Sequence, residues 1–149
     1  MERPQSISTM TRLVRRSPGT DAHSVSGDIC VLGAGIAGVS AALEAARLGR
    51  RVVLVDALPA LGGQAVNSII GTFCGLFSNG PAAYQFTHGI ADDILRDLGS
   101  QRALHYRRGG PWNTTVVMYD EIALSRWIEQ RANAAGYGLI RTDGFAFLC

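Results

Sequence analysis

Long apolar runs are missing from this chain, and without a stretch of about 18 consecutive apolar residues no helix can cross a membrane. Cysteine is scarce: Cys30, Cys74 and Cys149 are the three present, far apart and without a C-x-x-C pair. That spacing excludes a disulfide framework and points to reduced thiols and a cytoplasmic setting. It also leaves Cys74 without a redox partner, so a buried structural thiol is the expectation for it. Histidine is equally thin, and His23, His88 and His105 have no neighbours at ligand spacing, so no metal set can be assembled. Neither charge sign dominates. A formal net charge of +2 over 149 residues is too small to argue for nucleic acid. Internal repeats are absent too, and the length suits one domain with its core.

What is present begins at Asp28. An apolar run, Ile29 to Leu32, enters a glycine turn written G-x-G-x-x-G with Gly33, Gly35 and Gly38, and a small-residue helical pattern follows. A second apolar run, Val52 to Val55, ends on Asp56. This is a strand, a helix and a strand, wound as a right-handed βαβ unit. Gly33 suits the tight turn, Gly35 lets a pyrophosphate approach the backbone, and Gly38 lets the helix lie close to the strand. The helix aims its unpaired N–H groups at the phosphates, and Asp56 stands where a ribose diol is accepted. Ala37, Ala41, Ala42 and Ala45 are expected to meet the sheet, Gly49 to stop the helix, and Arg50 and Arg51 to supply favourable charge at its end. The residues define an adenine-dinucleotide site and leave open which dinucleotide it takes.

After Gly38 come Ala42, Gly49, Val52 and Asp56, and then the pair Gly62 and Gly63. In this extended pattern the chain resembles the FAD-dependent oxidoreductases that carry a glutathione-reductase-type FAD domain, although many members have Glu at the Asp56 position. The resemblance implies FAD in place of NAD, with Gly33, Ala34, Gly35, Ile36, Ala37, Gly38, Asp56, Ala57, Gly62, Gly63 and Gln64 around it. Asn67, Ser68 and Thr72 become candidates for hydrogen bonds to the flavin or its ribityl chain. It implies an oxidoreductase whose flavin takes electrons from a small-molecule substrate. Members are several times longer, so the chain reads as the N-terminal part of such a protein, its substrate residues lying largely beyond residue 149. A later region or a second polypeptide is then expected to complete the fold, and a nucleotide-binding fragment without turnover stays open beside the enzyme. The fold class is α/β, a Rossmann-like domain with a parallel sheet, incomplete at the C-terminus, plus a β-hairpin insertion.

The remaining segments are read by pattern. Residues 1–27 are polar, contain Arg3, Arg12, Arg15 and Arg16, and lack an apolar face, so a disordered leader is expected before a domain at 28–149. The loop from Ala57 to Gly80 is glycine-rich yet apolar, as suits the lining of a large flat ligand, and without further walls it exposes Ile69, Ile70, Phe73, Leu76 and Phe77. Pro81 to Leu98 predicts a helix with Phe86, Ile90, Ile94 and Leu98 inward, and Asp92 and Asp93 on its solvated face. Ala103 to Arg108 and Thr114 to Tyr119 predict a hairpin. On it, Arg107 and Arg108 read as strand-end charge and Trp112 as an aromatic anchor, with a substrate-facing role as the alternative. Asp120 caps a helix to about Ala135, with Leu124, Trp127, Ile128 and Ala135 inward, Gly136 ends it, and Tyr137 to Arg141 is the next strand.

Overall fold

Apolar strands that end on glycine turns set the architecture. The computed structural model describes residues 25–135 and 138–141. Strands β1 (Ile29–Leu32), β2 (Val52–Asp56) and β6 (Gly138–Arg141) form a parallel sheet in the order β1-β2-β6. Ile29 lies opposite Val52, and Val53 opposite Gly138. The central strand is buried from Val52 to Val55, as an unbroken apolar run requires when both faces are covered. β1 lies at the edge and leaves Leu32 55 % exposed.

Helix α1 (Ile36–Arg47) packs on β1 and β2 and ends at Leu48, where Gly49 takes a positive φ as expected. Its buried residues are Val39, Ala42 and Leu43. The expectation that Ala37 and Ala41 meet the sheet is corrected, for both are exposed, whereas Ala45 is half-buried and packs against the core. Turning the neighbouring stripe inward buries the branched chains of Val39 and Leu43, which removes more apolar area from water than alanines can. Arg51 also differs from its reading as helix-end charge. Its guanidinium donates to Asp28 Oδ1 at 2.9 Å and its N–H to Asp28 Oδ2 at 2.8 Å, which ties the entries of β1 and β2 together.

A short helix α2 (Gln64–Asn67) and a two-residue strand β3 (Thr72–Phe73) follow. Helix α3 covers Ile90–Ser100, so the expected helix from Pro81 is corrected. Asp92 accepts the N–H of Gly89 at 2.9 Å, and Gly89 at a positive φ fixes the helix start there. The preceding residues form a small hairpin instead. Phe77 bridges Gln85, the N–H of Ser78 donates to the carbonyl of Tyr84 at 2.8 Å, and that of Phe86 to Leu76 at 2.8 Å. Phe86 is therefore exposed, whereas Ile90, Ile94, Leu95 and Leu98 are buried along α3. Nor is Asp93 merely solvated, because its carboxylate accepts from Arg47 of α1 and from Arg96.

Strands β4 (Leu104–Gly109) and β5 (Thr114–Tyr119) form the expected hairpin, and β3 joins them in an antiparallel sheet ordered β3-β5-β4. Trp112 at the hairpin tip is 73 % exposed, which overturns its reading as an anchor. Its carbonyl accepts from the N–H of Gly80, whose own carbonyl accepts from the Arg108 guanidinium, so the tip is held by these bonds and not by the indole. Helix α4 (Glu121–Ala134) starts where Asp120 Oδ1 accepts the N–H of Ala123 at 2.8 Å. Leu124, Trp127 and Ile128 are buried as expected, but Ala135 is exposed and Ala132 takes the inward place one turn earlier. Gly136 and most of the leader lie outside the described residues.

One apolar core joins Val39, Leu43, Leu54, Ile94, Leu124 and Ile128. α3 and α4 are further locked by Asp97. It accepts from Trp127 Nε1 at 2.8 Å, from Arg131, and from Arg96 Nε at 3.0 Å. Burial pushes its carboxyl up, but these hydrogen bonds win and hold it down at about 2.

Candidate dinucleotide site

The site begins with two glycines of opposite purpose. Gly33 turns the chain at a φ of +94°, its N–H donating to the carbonyl of Val55 at 2.7 Å, so the end of β1 is pinned to the end of β2. Gly38 sits so close to that turn that a Cβ there would lie 1.8 Å from the Gly33 carbonyl oxygen. Its role in close packing, read from the motif, is thus met by geometry. Gly35 differs: a Cβ built on it meets nothing within 4 Å. Gly35 is also the N-cap of α1, and no side chain caps that helix and no acid stands in its first turn. The first amides, at Ile36 and Ala37, keep the electropositive character that binds an anion.

The Gly62–Gly63 pair lies directly on this turn. Gly62 donates its N–H to the carbonyl of Ala34 at 2.7 Å and forms a parallel bridge with Gly35. A Cβ on Gly63 would lie 2.9 Å from the Cα of Gly35, and both glycines hold positive φ. Only a chain without side chains can lie so close. Gln64 opens α2 and is exposed, as is Ala57 after β2. Ala34 is buried under the turn.

Asp56 closes the site from the end of β2. Its Oδ2 accepts the N–H of Ala34 and its Oδ1 that of Leu58 at 2.7 Å. The three further candidates stand apart: Asn67 ends α2, Ser68 donates its hydroxyl back to Gln64, and Thr72 pairs with Met118 in the second sheet.

The second sheet is fastened beside this corner by Tyr119. Its hydroxyl donates to the carbonyl of Ala65 at 2.9 Å and its ring stacks on Phe73, 4.2 Å between centroids. Burial, and then the nearby Glu121 carboxylate, push its phenol up. Past Phe73 the chain leaves the stack, and Cys74 turns outward, so the buried thiol expected there is corrected to an exposed one. Of the expected apolar loop residues, Ile69 and Ile70 are exposed while Phe73, Leu76 and Phe77 are half-buried.

The motif gave no sign of an apolar cavity of about 380 Å³ between α1 and α3, lined among others by Ile36, Glu44, Phe73 and His88. His88 precedes α3, and its Nδ1 lies 3.2 Å from Asp92 Oδ1. The H-x-x-x-D spacing is the signal the sequence offers for this pair.

The geometry defines the class: a Rossmann-type α/β domain with a G-x-G-x-x-G turn between its first strand and helix. The sequence matches the family described as FAD dependent oxidoreductase over residues 28–143, and the chain belongs to that family, with FAD as its cofactor. No curated protein matches it. Among solved structures it is similar to the THI4 protein of Thermovibrio ammonificans, with 20 % identity and a TM-score of 0.48 over 77 % of this chain and 38 % of that one. It is similar also to NikD, an unusual amino acid oxidase essential for nikkomycin biosynthesis, with 16 % identity and a TM-score of 0.47 over 79 % of this chain and 44 % of that one. Aklavinone-11 hydroxylase, solved with FAD and aklavinone, is 19 % identical with a TM-score of 0.37 over 80 % of this chain and 26 % of that one. The chain thus spans less than half the length of each. Among the described residues no helix is long and apolar enough to cross a membrane, and no cluster of metal-binding side chains occurs.

Proposed function

We propose that this chain is the FAD-binding portion of an oxidoreductase whose flavin accepts electrons from a small-molecule substrate. The observation that carries the reading is the uncapped N-terminus of α1, open at Gly35 and flanked by Asp56 and by the Gly62–Gly63 backbone. In this reading Gly33, Gly35 and Gly38, with the amides of Ile36 and Ala37, hold the diphosphate. Asp56 takes the adenosine ribose, and Gly62, Gly63 and Gln64 pass beside the flavin side of the diphosphate, with Ala34 and Ala57 framing the turn. FAD, when bound, supplies two-electron redox chemistry; the chain binds, orients and shields it. The scattered cysteines favour a reducing, cytoplasmic setting for the whole protein.

Visible absorbance of the purified chain with added FAD tests this. Bound flavin gives a perturbed yellow spectrum that survives gel filtration. Gly35→Val places a branched side chain in open space, so the expected result is a folded protein that has lost FAD. Asp56→Ala is expected to weaken binding by about 1–3 kcal/mol through the lost ribose contact. A chain that takes up NAD and ignores FAD, or two variants with undiminished FAD affinity, rules this assignment out.

A further inference from the structure

Two hairpin tips lie side by side on the antiparallel half of the molecule. One is the turn between β4 and β5, Gly110 to Asn113, and the other is the turn of the small hairpin before α3, Pro81 to Tyr84. The N–H of Gly80 donates to the carbonyl of Trp112 at 3.1 Å and the Arg108 guanidinium donates to the carbonyl of Gly80, so the tips are tied to each other. Every residue of both turns is exposed, yet neither turn holds a charge. Pro81, Ala82, Ala83, Tyr84, Pro111 and Trp112 stand where water-facing turns ordinarily carry polar side chains. Tyr84, Phe86, Tyr106 and Trp112 are each more than half exposed.

Behind the tips the charge is of one sign. Residues 76–88 and 102–119 contain Arg102, Arg107 and Arg108 and no acid. The ion pairs of the described residues engage Arg47, Arg51, Arg96 and Arg131, whereas Arg107 and Arg108 enter none. Such a surface complements an anionic partner that also accepts apolar rings. Tyr84 meets Phe86 edge to face at 5.0 Å and Phe77 meets Tyr106 likewise at 6.0 Å, so the rings offer no parallel platforms on which bases would stack. A protein hot spot sits at the centre of one packed patch, but here the exposed rings are divided between two hairpins. We propose that the paired tips dock on an anionic lipid membrane, with Trp112 and Tyr84 at the level of the head groups and Arg107 and Arg108 towards the lipid charge. Tryptophan and tyrosine favour that level because their apolar rings and their polar N–H or O–H groups are both satisfied there. The contact is peripheral, and two rings with two arginines make it weak and reversible.

This docking is independent of the FAD reading, and the test keeps the two apart. The 149-residue chain is floated, with and without FAD, on vesicles of phosphatidylcholine and of phosphatidylcholine mixed with phosphatidylglycerol. It is expected on the anionic vesicles and not on the neutral ones, to the same extent with FAD as without. There the emission of Trp112 should shift to the blue and be quenched by brominated acyl chains, while Trp127, which is buried, does not respond. Arg107→Gln should weaken association about fivefold, and added salt should weaken it further. Trp112→Ser should lower association and remove the blue shift. Both side chains are exposed, so these variants leave the core intact. Equal association with neutral vesicles, an unchanged Trp112 emission on the vesicle, or release on adding FAD would each overturn the proposal. So would association that both substitutions leave at the parent level, as when the arginines of residues 1–27 carry it. Self-association lost in Trp112→Ser, or capture of a single-stranded oligonucleotide in place of vesicles, would assign the tips to another occupant and overturn it as well.

Discussion

The glycine corner and the antiparallel sheet lie side by side but are held by different means. At the glycine corner Gly38 rests on the backbone of Gly33 and Gly63 on that of Gly35, with separations that no Cβ tolerates. The sheet of β3, β5 and β4 is fastened by side chains instead: the stacked rings of Phe73 and Tyr119, the Tyr119 hydroxyl on Ala65, and Arg108 on Gly80. Their surfaces diverge as well. β2 is buried from Val52 to Val55, whereas β4 is exposed from His105 to Gly109 and Trp112 stands in water. The first arrangement is close to all-or-none and the second is adjustable, so single substitutions should weigh very differently on the two.

Gly38→Ala is the strongest way to break that contrast. A single methyl would sit 1.8 Å from the Gly33 carbonyl oxygen, and neither the turn nor the helix can move without losing the bond from Gly33 to Val55. The expected cost is about 3 kcal/mol or more, read as a large fall in thermal midpoint. A variant that melts like the parent would mean the corner is softer than its geometry implies.

Next in size is Asp97→Asn at the joint of α3 and α4, expected to cost about 2 kcal/mol because a charged acceptor of three side chains is lost. The same carboxylate gives a pH signature. Its folded pKa lies near 2, below the unfolded value of about 3.9, so its contribution is full above about pH 4 and fades as pH falls towards 2. Denaturation curves at pH 6 and pH 2.5 should therefore differ less in the variant than in the parent. Equal acid sensitivity of the two proteins would assign the loss to other carboxylates.

Tyr119→Phe is expected to be the mildest of these changes. It keeps the stack on Phe73 and removes one neutral hydrogen bond, worth about 1 kcal/mol. Should it match Gly38→Ala in cost, the division into a rigid and an adjustable half fails.

The same division governs how far the amino-acid sequence could be read. Gly33, Gly38 and Gly63 were legible because their constraint is a property of spacing along the chain. α4 and the hairpin were legible for the same reason, through Asp120 and the glycines at the hairpin turn. Pro81 misled because a proline that suits a helix start equally suits the small hairpin around Phe77 and Gln85, and the choice is made by Asp92 reaching back to Gly89. The outward turn of Cys74 and the exposure of Trp112 depend on contacts with distant segments. So does the cavity, whose lining brings Glu44 of α1 beside the segment before α3, which no local pattern encodes.

Asp56 carries one more consequence. Because it accepts the N–H of Ala34 in the turn, the acid serves the fold as well as the nucleotide. A saturation scan scored only on cellular abundance would therefore mark Asp56 as sensitive, alongside Gly63, where a Cβ would strike Gly35. At this corner maps of abundance and of cofactor affinity overlap, and subtracting one from the other would hide the residues that matter to both. Gly35, open on the ligand side, is the position at which the two maps should separate.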